Sequence, residues 1–396
     1  MTSSELPAGF QFAGVACGIK PSGKPDLSLI VGDNRLVASG VYTQNQVVAA
    51  PVEICRSLTP SKRIRAVVTN SGNANACTGR QGALDAAEMC RSVADAISAS
   101  EAEVLVMSTG IIGKKMPMDR VQAGIKNSVA KLGRGIDDFT AAADAILTTD
   151  KYRKAECREI QLGDQTIRIA AMAKGAGMIS PNLATMLAVV MTDAQLDPQQ
   201  SQRILREVAS KSFNCVSVDG HTSTNDTLLL LSSGASGVRI GDSNEKDFIR
   251  ALTDLACFLA RELVADGEGA THVMKIRVVG ADNDASAATI ARTIGASPLV
   301  KTAISGGDPN WGRIVSAAGY ADAKINPQQT SLKLAGTEIY HNGVPTDFDA
   351  AAVSKAIKAT KEVGLDLFVG DGPGTAIHWA SDLTVEYVRF NSEYTT

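Results

Sequence analysis

The feature that most constrains this chain is an alternation of short β-branched runs with helix-length amphipathic periods, carried from end to end. Residues 66–69 and 104–107 are strand-sized apolar runs bounded by turn-forming residues. Between them Leu84, Ala87, Cys90, Ala94 and Ile97 recur at helical spacing, with Thr78 and Gly79 upstream to start a helix over 81–97. The rhythm returns at Val121, Ile125, Val129 and Leu132, at Ile204 and Val208, and at Phe248, Leu252, Leu255, Leu259 and Leu263. Strands are expected at 159–170, as a hairpin turning at Gly163-Asp164, and at 185–191, 227–231, 273–279, 331–340 and 384–390. Strands interleaved with helices that can cover their faces predict a layered α/β or α+β architecture. Apolar runs such as 187–191 stop far short of the ~18 residues of a membrane span, so no membrane partner is expected.

Charge and cysteine usage narrow the function classes. Lys+Arg of 39 against Asp+Glu of 42 gives a net charge of −3, which argues against nucleic acid as a partner. The seven cysteines are odd in number and form no CxxC pair, which reads as reduced thiols in a cytoplasm. The first residues, MTSSELPAGFQFAGV, lack the charged and apolar regions of a secretory signal. Four histidines without i,i+4 pairing give no support to a metal site. Gly175-Ala176-Gly177 runs on to Ser180 and Pro181 where a dinucleotide loop would carry its third Gly and a helix. Neither 266–269 nor 370–374 has the Lys-Ser/Thr of a phosphate loop. There is also no G-x-S-x-G elbow. An enzyme here needs another way to activate its nucleophile.

Residues 174–187, KGAGMISPNLATML, supply one. A Gly-rich loop containing Pro181 runs straight into Thr185, which opens an apolar run. A Thr at such a junction can attack the carbonyl before it, and hydrolysis of the resulting ester frees an α-amine on the same residue. That amine has an ordinary pKa near ~7.7–8.0 and can serve as the base for its own hydroxyl. On local pattern alone, a half-buried Thr joining a loop to a strand is the better reading.

The longer string tips the balance. Residues 173–194, AKGAGMISPNLATMLAVVMTDA, resemble the self-cleavage motif of the ornithine acetyltransferase (glutamate N-acetyltransferase) family of arginine biosynthesis, close to AKGSGMIxPNMATMLAFxxTDA. The likeness extends over residues 8–396, through NSGNANACTG at 70–79, STGIIG at 108–113, TTD at 148–150, TSTNDT at 222–227, DGEGAT at 266–271 and DPNWGR at 308–313. This many blocks in one order are highly specific.

The resemblance implies a four-layer αββα sandwich with a smaller C-terminal lobe. It implies cleavage between Ala184 and Thr185 into an alpha chain, 1–184, and a beta chain, 185–396, forming one intertwined unit. Thr185 would be the nucleophile, and Thr109 with the Gly110 N–H the oxyanion hole. Thr148, Lys174, Thr185, Glu268, Asn391 and Thr396 would contact substrate; a Lys suits a carboxylate and a Glu an ammonium. The implied reaction is ping-pong: Thr185 takes the acetyl group of N2-acetylornithine, releases ornithine, and passes the acetyl group to glutamate. No cofactor or metal is implied. The partners are the two substrates, acetyl-CoA as a donor for some family members, and an assembly of two alpha with two beta chains.

Departures leave alternatives open. Ala176 stands where the family has Ser, His221 where it has Asp, His272 where it has Lys, and Thr395 where Arg is frequent. A self-cleaving amidase or aminopeptidase, and an acetyltransferase of a secondary-metabolite pathway, remain as readings. With no residue cluster suited to the phosphates of CoA, acetylornithine is expected to be the efficient donor and acetyl-CoA a weak one.

Overall fold

In a computed structural model of the chain, the described residues are 6–180 and 186–393. Ala184, Thr185, Thr395 and Thr396 therefore lie outside the described residues. Among the described residues one sheet is built from β1 (Phe10–Val15), β2 (Leu27–Tyr42), β3 (Ser61–Asn73), β4 (Val104–Ile111), β5 (Lys154–Leu162), β6 (Gln165–Lys174), β7 (Leu187–Thr192) and β9 (Thr227–Ser232), with β8 (Val216–Ser217) between the last two in sequence. Its order is β4-β3-β2-β9-β7-β6-β5, with β1 paired to β2.

The key to its shape is β2. Its first half pairs with β1 and β3, its second half pairs with β9, and the register against β3 shifts between Val31 and Leu36. The long strand thus belongs to two half-sheets, and their inner faces share one core. Phe12, Ile30, Val67 and Leu105 from one half meet Met172, Val189, Leu229 and Leu231 from the other. Outside the first half lie α2 (Gly79–Ala96) and α3 (Met118–Ala130), packed on Leu27, Leu29, Ala66, Val68 and Val104. Outside the second half lie α5 (Pro198–Lys211) and α6 (Glu245–Ala265), packed on Ile167, Ile169, Ala188, Leu228 and Leu230. Helix, sheet, sheet, helix is the four-layer sandwich, with α1 (Ala50–Leu58) and α4 (Ile136–Ala145) closing the inner core. Alternate residues of β9 serve opposite faces, which is why the four leucines 228–231 run unbroken.

The C-terminal lobe is a second sheet of β13-β12-β11-β14-β10-β15-β8, from β10 (Val273–Ala281), β11 (Ser331–Leu334), β12 (Thr337–His341), β13 (Val344–Pro345), β14 (Glu362–Phe368) and β15 (Gly374–Ser381). Its core is formed with α7 (Asp284–Ala296), α8 (Pro298–Gly306), α9 (Trp311–Gly319) and α10 (Ala350–Ala359). Helix α6 also touches β8, β10 and β15, and so joins the lobe to the sandwich.

Two strand expectations are corrected. Residues 331–340 form a hairpin, not one strand, because Ala335 and Gly336 take positive φ at its turn. Residues 384–390 begin a helix, α11 (Val385–Glu393). There the Thr384 hydroxyl donates to the Gly269 carbonyl at 2.7 Å and accepts from the Tyr387 N–H at 3.2 Å. A capping Thr outweighs the β-branched residues that suggested a strand.

Candidate active site

The ends of both half-sheets converge on a cavity of about 200 Å³. Thr109, Gly110, Thr148, Lys174, Glu268 and Asn391, six of the residues singled out in the sequence, all line it. They arrive from four directions: the end of β4, the α4–β5 loop, the end of β6, and the C-terminal lobe with its α6–β10 loop and α11. Of the remaining site positions, Ala184, Thr185 and Thr396 fall outside the described residues.

Lys174 is the last residue of β6 and 2% exposed; Thr109 in β4 is 4% exposed. The Lys174 Nζ donates to the Thr109 Oγ1 at 3.1 Å. An ammonium only donates, so this oxygen is the acceptor and the Thr109 hydroxyl hydrogen is left to point elsewhere. Next to it, Gly110 has φ +132, and a Cβ there would lie 2.3 Å from the Gly72 carbonyl carbon. Only glycine allows β3 and β4 to slip register here and turn the backbone at the cavity wall.

A buried charge cluster supports Lys174 from behind. Lys154 Nζ donates to Asp150 Oδ1 at 2.7 Å and to Asp266 Oδ2 at 2.5 Å, and these side chains are all fully buried or nearly so. Burial alone would raise the Asp150 carboxyl, but the ammonium groups of Lys174 and Lys154 outweigh it and hold it well below its ordinary value. Burial pushes the Lys174 ammonium down, against the pull of Asp150. Asp150 also accepts from the Gly175 N–H at 2.7 Å and the Thr148 N–H at 2.9 Å, so one carboxylate sets two cavity segments.

The loop after Lys174 is held residue by residue. The Ala176 carbonyl accepts from the Glu268 N–H at 2.8 Å. Asp219 accepts from the Met178 N–H at 2.6 Å and the Ile179 N–H at 2.9 Å, and the Ile179 carbonyl accepts from the Val218 N–H at 2.8 Å. Met178 takes φ +57, a left-handed conformation that such a tether can sustain. On the far side, the Met186 N–H donates to Asp226 Oδ1 at 3.1 Å, and the Met186 carbonyl accepts from the Thr227 N–H. Both flanks of residues 181–185 are thus anchored to the β8–β9 connection. Asn225 in turn donates to the Ala74 and Ser108 carbonyls, fixing that connection to β3 and β4.

Glu268 accepts from the Thr149 hydroxyl at 2.7 Å and from Asn391 Nδ2 at 3.2 Å. Both donors are neutral, and burial raises its carboxyl pKa. Its charge is therefore unneutralised by any direct ion pair among the described residues, as a receptor for a substrate ammonium requires. Gly177 makes room for it, since a Cβ there would lie 2.4 Å from Glu268 Oε2.

Sequence reasoning missed Asp150, Asp219, Asn225, Asp226 and Tyr387, although Asp150, Asn225 and Asp226 sit inside the blocks that carry the resemblance. Their signal is a run of buried polar residues where an ordinary strand end would be solvated. His221 lines the cavity mouth, while His272 lies off it, beside Asp382. Ala176 makes its contact through backbone, so the absent Ser hydroxyl does not remove the Glu268 tether. The seven cysteines are unpaired. Among the described residues no helix is long and apolar enough to cross a membrane, and no His/Cys/Asp/Glu cluster could hold a metal ion.

The chain is similar to known proteins over its whole length. The ArgJ family model matches residues 11–396. The arginine biosynthesis bifunctional protein ArgJ of Rhodopirellula baltica is 56% identical over 399 residues, covering 100% of this chain and 97% of that one. Its namesake from Nitratidesulfovibrio vulgaris is 44% identical, with 99% of each chain covered. A solved chain of the arginine biosynthesis bifunctional protein from Bacillus halodurans superposes with a TM-score of 0.51 at 35% identity, covering 98% of that chain but 52% of this one.

Proposed function

The chain belongs to the ArgJ family, and from that membership we propose that the cavity transfers an acetyl group from N2-acetylornithine to glutamate through an acetyl-threonine at Thr185. The observation that carries this reading is the Lys174–Thr109 pair beside Gly110, with Glu268 in the same cavity. It is a donor set for a developing oxyanion next to a carboxylate for an amino-acid ammonium.

Self-cleavage comes first. Thr185 attacks the Ala184 carbonyl, and water resolves the ester into residues 1–184 and a chain that begins at Thr185. Anchoring both flanks of the scissile segment supplies the fixed geometry that an intramolecular attack needs. Two further facts favour two chains. The solved relative's chain, over 98% of its own length, matches about half of this one, 52%. The last described residues before the junction also carry a strained φ at Met178.

In the transfer reaction the new α-amine takes the Thr185 hydroxyl proton while Oγ attacks the acetyl carbon. The Thr109 hydroxyl, whose hydrogen Lys174 directs away from itself, and the Gly110 N–H receive the oxyanion. Glu268 holds the substrate ammonium with Thr149 and Asn391 behind it, and Lys174 brings positive charge toward a substrate carboxylate. The Thr185 α-ammonium returns that proton to the departing amine of ornithine; glutamate then enters with a carboxylate toward Lys174, and its α-amine, losing a proton to the Thr185 α-amine, resolves the acetyl-enzyme.

The relatives bear the name bifunctional, which favours a second activity over the single-donor expectation. Acetyl-CoA, whose thioester presents the same carbonyl to Thr185, is the natural second donor. Two copies of each chain in a reducing cytoplasm complete the proposal. The test supplies purified enzyme with N2-acetylornithine, with and without glutamate, and times ornithine and N-acetylglutamate. Ornithine release that depends on glutamate supports the transferase; equal release without glutamate would make the protein a hydrolase.

A further inference from the structure

We propose that Lys301 is a positioning residue for acetyl transfer: its buried ammonium pins together the two segments that carry the Glu268 wall of the cavity. The proposal rests on the reading of that cavity as an acetyltransferase site.

Lys301 belongs to α8 of the C-terminal lobe, is 5% exposed and does not itself line the cavity. Its Nζ donates to the Val218 carbonyl at 2.7 Å, to the Ser381 carbonyl at 2.6 Å and to the Ser381 Oγ at 3.2 Å. An ammonium has three hydrogens, so each of them is spent. The Ser381 hydroxyl in turn donates to the Val218 carbonyl at 3.1 Å. These acceptors stand where a ladder stops. Strands β8 and β15 pair through Val216↔Trp379 and Ser217↔Ala380, and the next residue on each is Val218 and Ser381. The ammonium thus takes over from the ladder and holds the two diverging segments to each other.

Both segments run on to the cavity. After Val218 comes Asp219, whose carboxylate accepts from the Met178 and Ile179 N–H groups and, at 3.4 Å, from the Tyr387 hydroxyl. After Ser381 comes Asp382, which accepts from the Thr271 N–H at 2.9 Å, and then Thr384, whose hydroxyl donates to the Gly269 carbonyl at 2.7 Å at the start of α11. Glu268 sits on the loop so held, and Tyr387 and Asn391 reach the cavity from α11. One side chain therefore lies at the root of both supports of this wall. Thr109 and Lys174, on β4 and β6 of the sandwich, form the other wall and are bonded to each other.

Space-filling does not account for a cation here. Asp219 and Asp382 attract the ammonium, but neither is bonded to it among the described residues, and burial pulls its pKa down to about 8. An apolar side chain of similar length would fill the site without that desolvation cost. What the ammonium adds is direction, three donors aimed at two segments.

The test is steady-state kinetics with N2-acetylornithine and glutamate, on chains cleaved before assay, beside a melting curve for each variant. Lys301→Met keeps the apolar stem and removes the three donors. It should raise KM for N2-acetylornithine by about 10-fold and leave kcat within about threefold, because the wall that binds substrate loosens while the oxyanion donors stay. Ser381→Ala withdraws one acceptor and the bond to Val218 but leaves Lys301 both carbonyls, so it disturbs folding less and should raise the same KM by about threefold. Variants that melt earlier yet keep the wild-type KM would overturn the proposal and leave Lys301 a structural pin. A fall in kcat at unchanged KM would overturn it too, since the effect would then lie on the oxyanion wall. If Lys301→Met does not fold, Ser381→Ala decides alone, and a wild-type KM for it refutes the positioning role. Wild-type enzyme that releases no ornithine from N2-acetylornithine would instead remove the reading beneath it.

Discussion

Replacing Thr109 with Ala tests the oxyanion site most sharply, because the residue is committed on both sides. Its Oγ1 is the acceptor for the buried Lys174 ammonium at 3.1 Å, so the methyl group of Ala removes one donor from the cavity and one acceptor from Lys174. The lost acceptor should cost about 1–3 kcal/mol of stability, partly offset because Asp150 still attracts the same ammonium. The lost donor should cost about 2.7–4 kcal/mol at the transition state, or roughly 10²–10³ in kcat. Self-cleavage should slow with acetyl transfer, since each passes through a tetrahedral oxyanion. Thr109→Ser restores the hydroxyl at the same branch point and should recover most of both rates. The assay is ornithine release under saturating N2-acetylornithine, on chains cleaved before assay, beside a melting curve for each variant. A loss confined to KM, or a Ser variant no better than Ala, would refute the oxyanion role and reduce Thr109 to a substrate contact.

Asp219→Ala frees the Met178 and Ile179 N–H groups that its carboxylate holds, and self-cleavage should slow by about tenfold or more as the flank loosens, measured as precursor band against time. Gly177→Ala places a Cβ 2.4 Å from Glu268 Oε2, so it should raise KM for both amino-acid substrates by about 10-fold while the melting temperature moves little. Asp266→Asn leaves Lys154 with Asp150 alone in a site without solvent, and should destabilise the chain by about 3–5 kcal/mol in denaturant titration. His378 is buried with its pKa lowered to about 3, so the unfolded chain binds its proton first. Stability should therefore fall as pH drops from about 6.5 toward about 3, and His378→Leu should flatten that slope in melts across the range.

What the sequence made legible follows from how local each signal was. Helices α2, α3 and α6 announce themselves by apolar period, and the β5–β6 hairpin by Gly163-Asp164, because these depend on neighbours a few residues apart. Strands β1 and β2 were not foreseen. Strand β2 runs on through Gly32-Asp33-Asn34 and shares its halves between the two half-sheets, which is a long-range pairing. Residues 384–390 read as a strand because nothing local records that Thr384 reaches the Gly269 carbonyl. At the site, Thr109, Gly110, Lys174 and Glu268 were legible through the resemblance and come together in one cavity. Asp150 and Asp219 were not, since their importance lies in binding backbone N–H groups that are distant in sequence or that any residue could supply. Buried charge of this kind is visible only once the fold brings Lys154, Asp150 and Asp266 together.

The central claim is that Thr185 is made into a nucleophile by cutting the chain before it. The most direct measurement is intact mass and N-terminal sequence of the purified protein, beside Thr185→Ala, with acetyl transfer assayed on the same samples. The account predicts two chains, 1–184 and 185–396, with Thr185 at the new N-terminus, and for the variant a single full-length chain without activity. A wild-type protein that stays one chain and still makes N-acetylglutamate from N2-acetylornithine at full rate would contradict it.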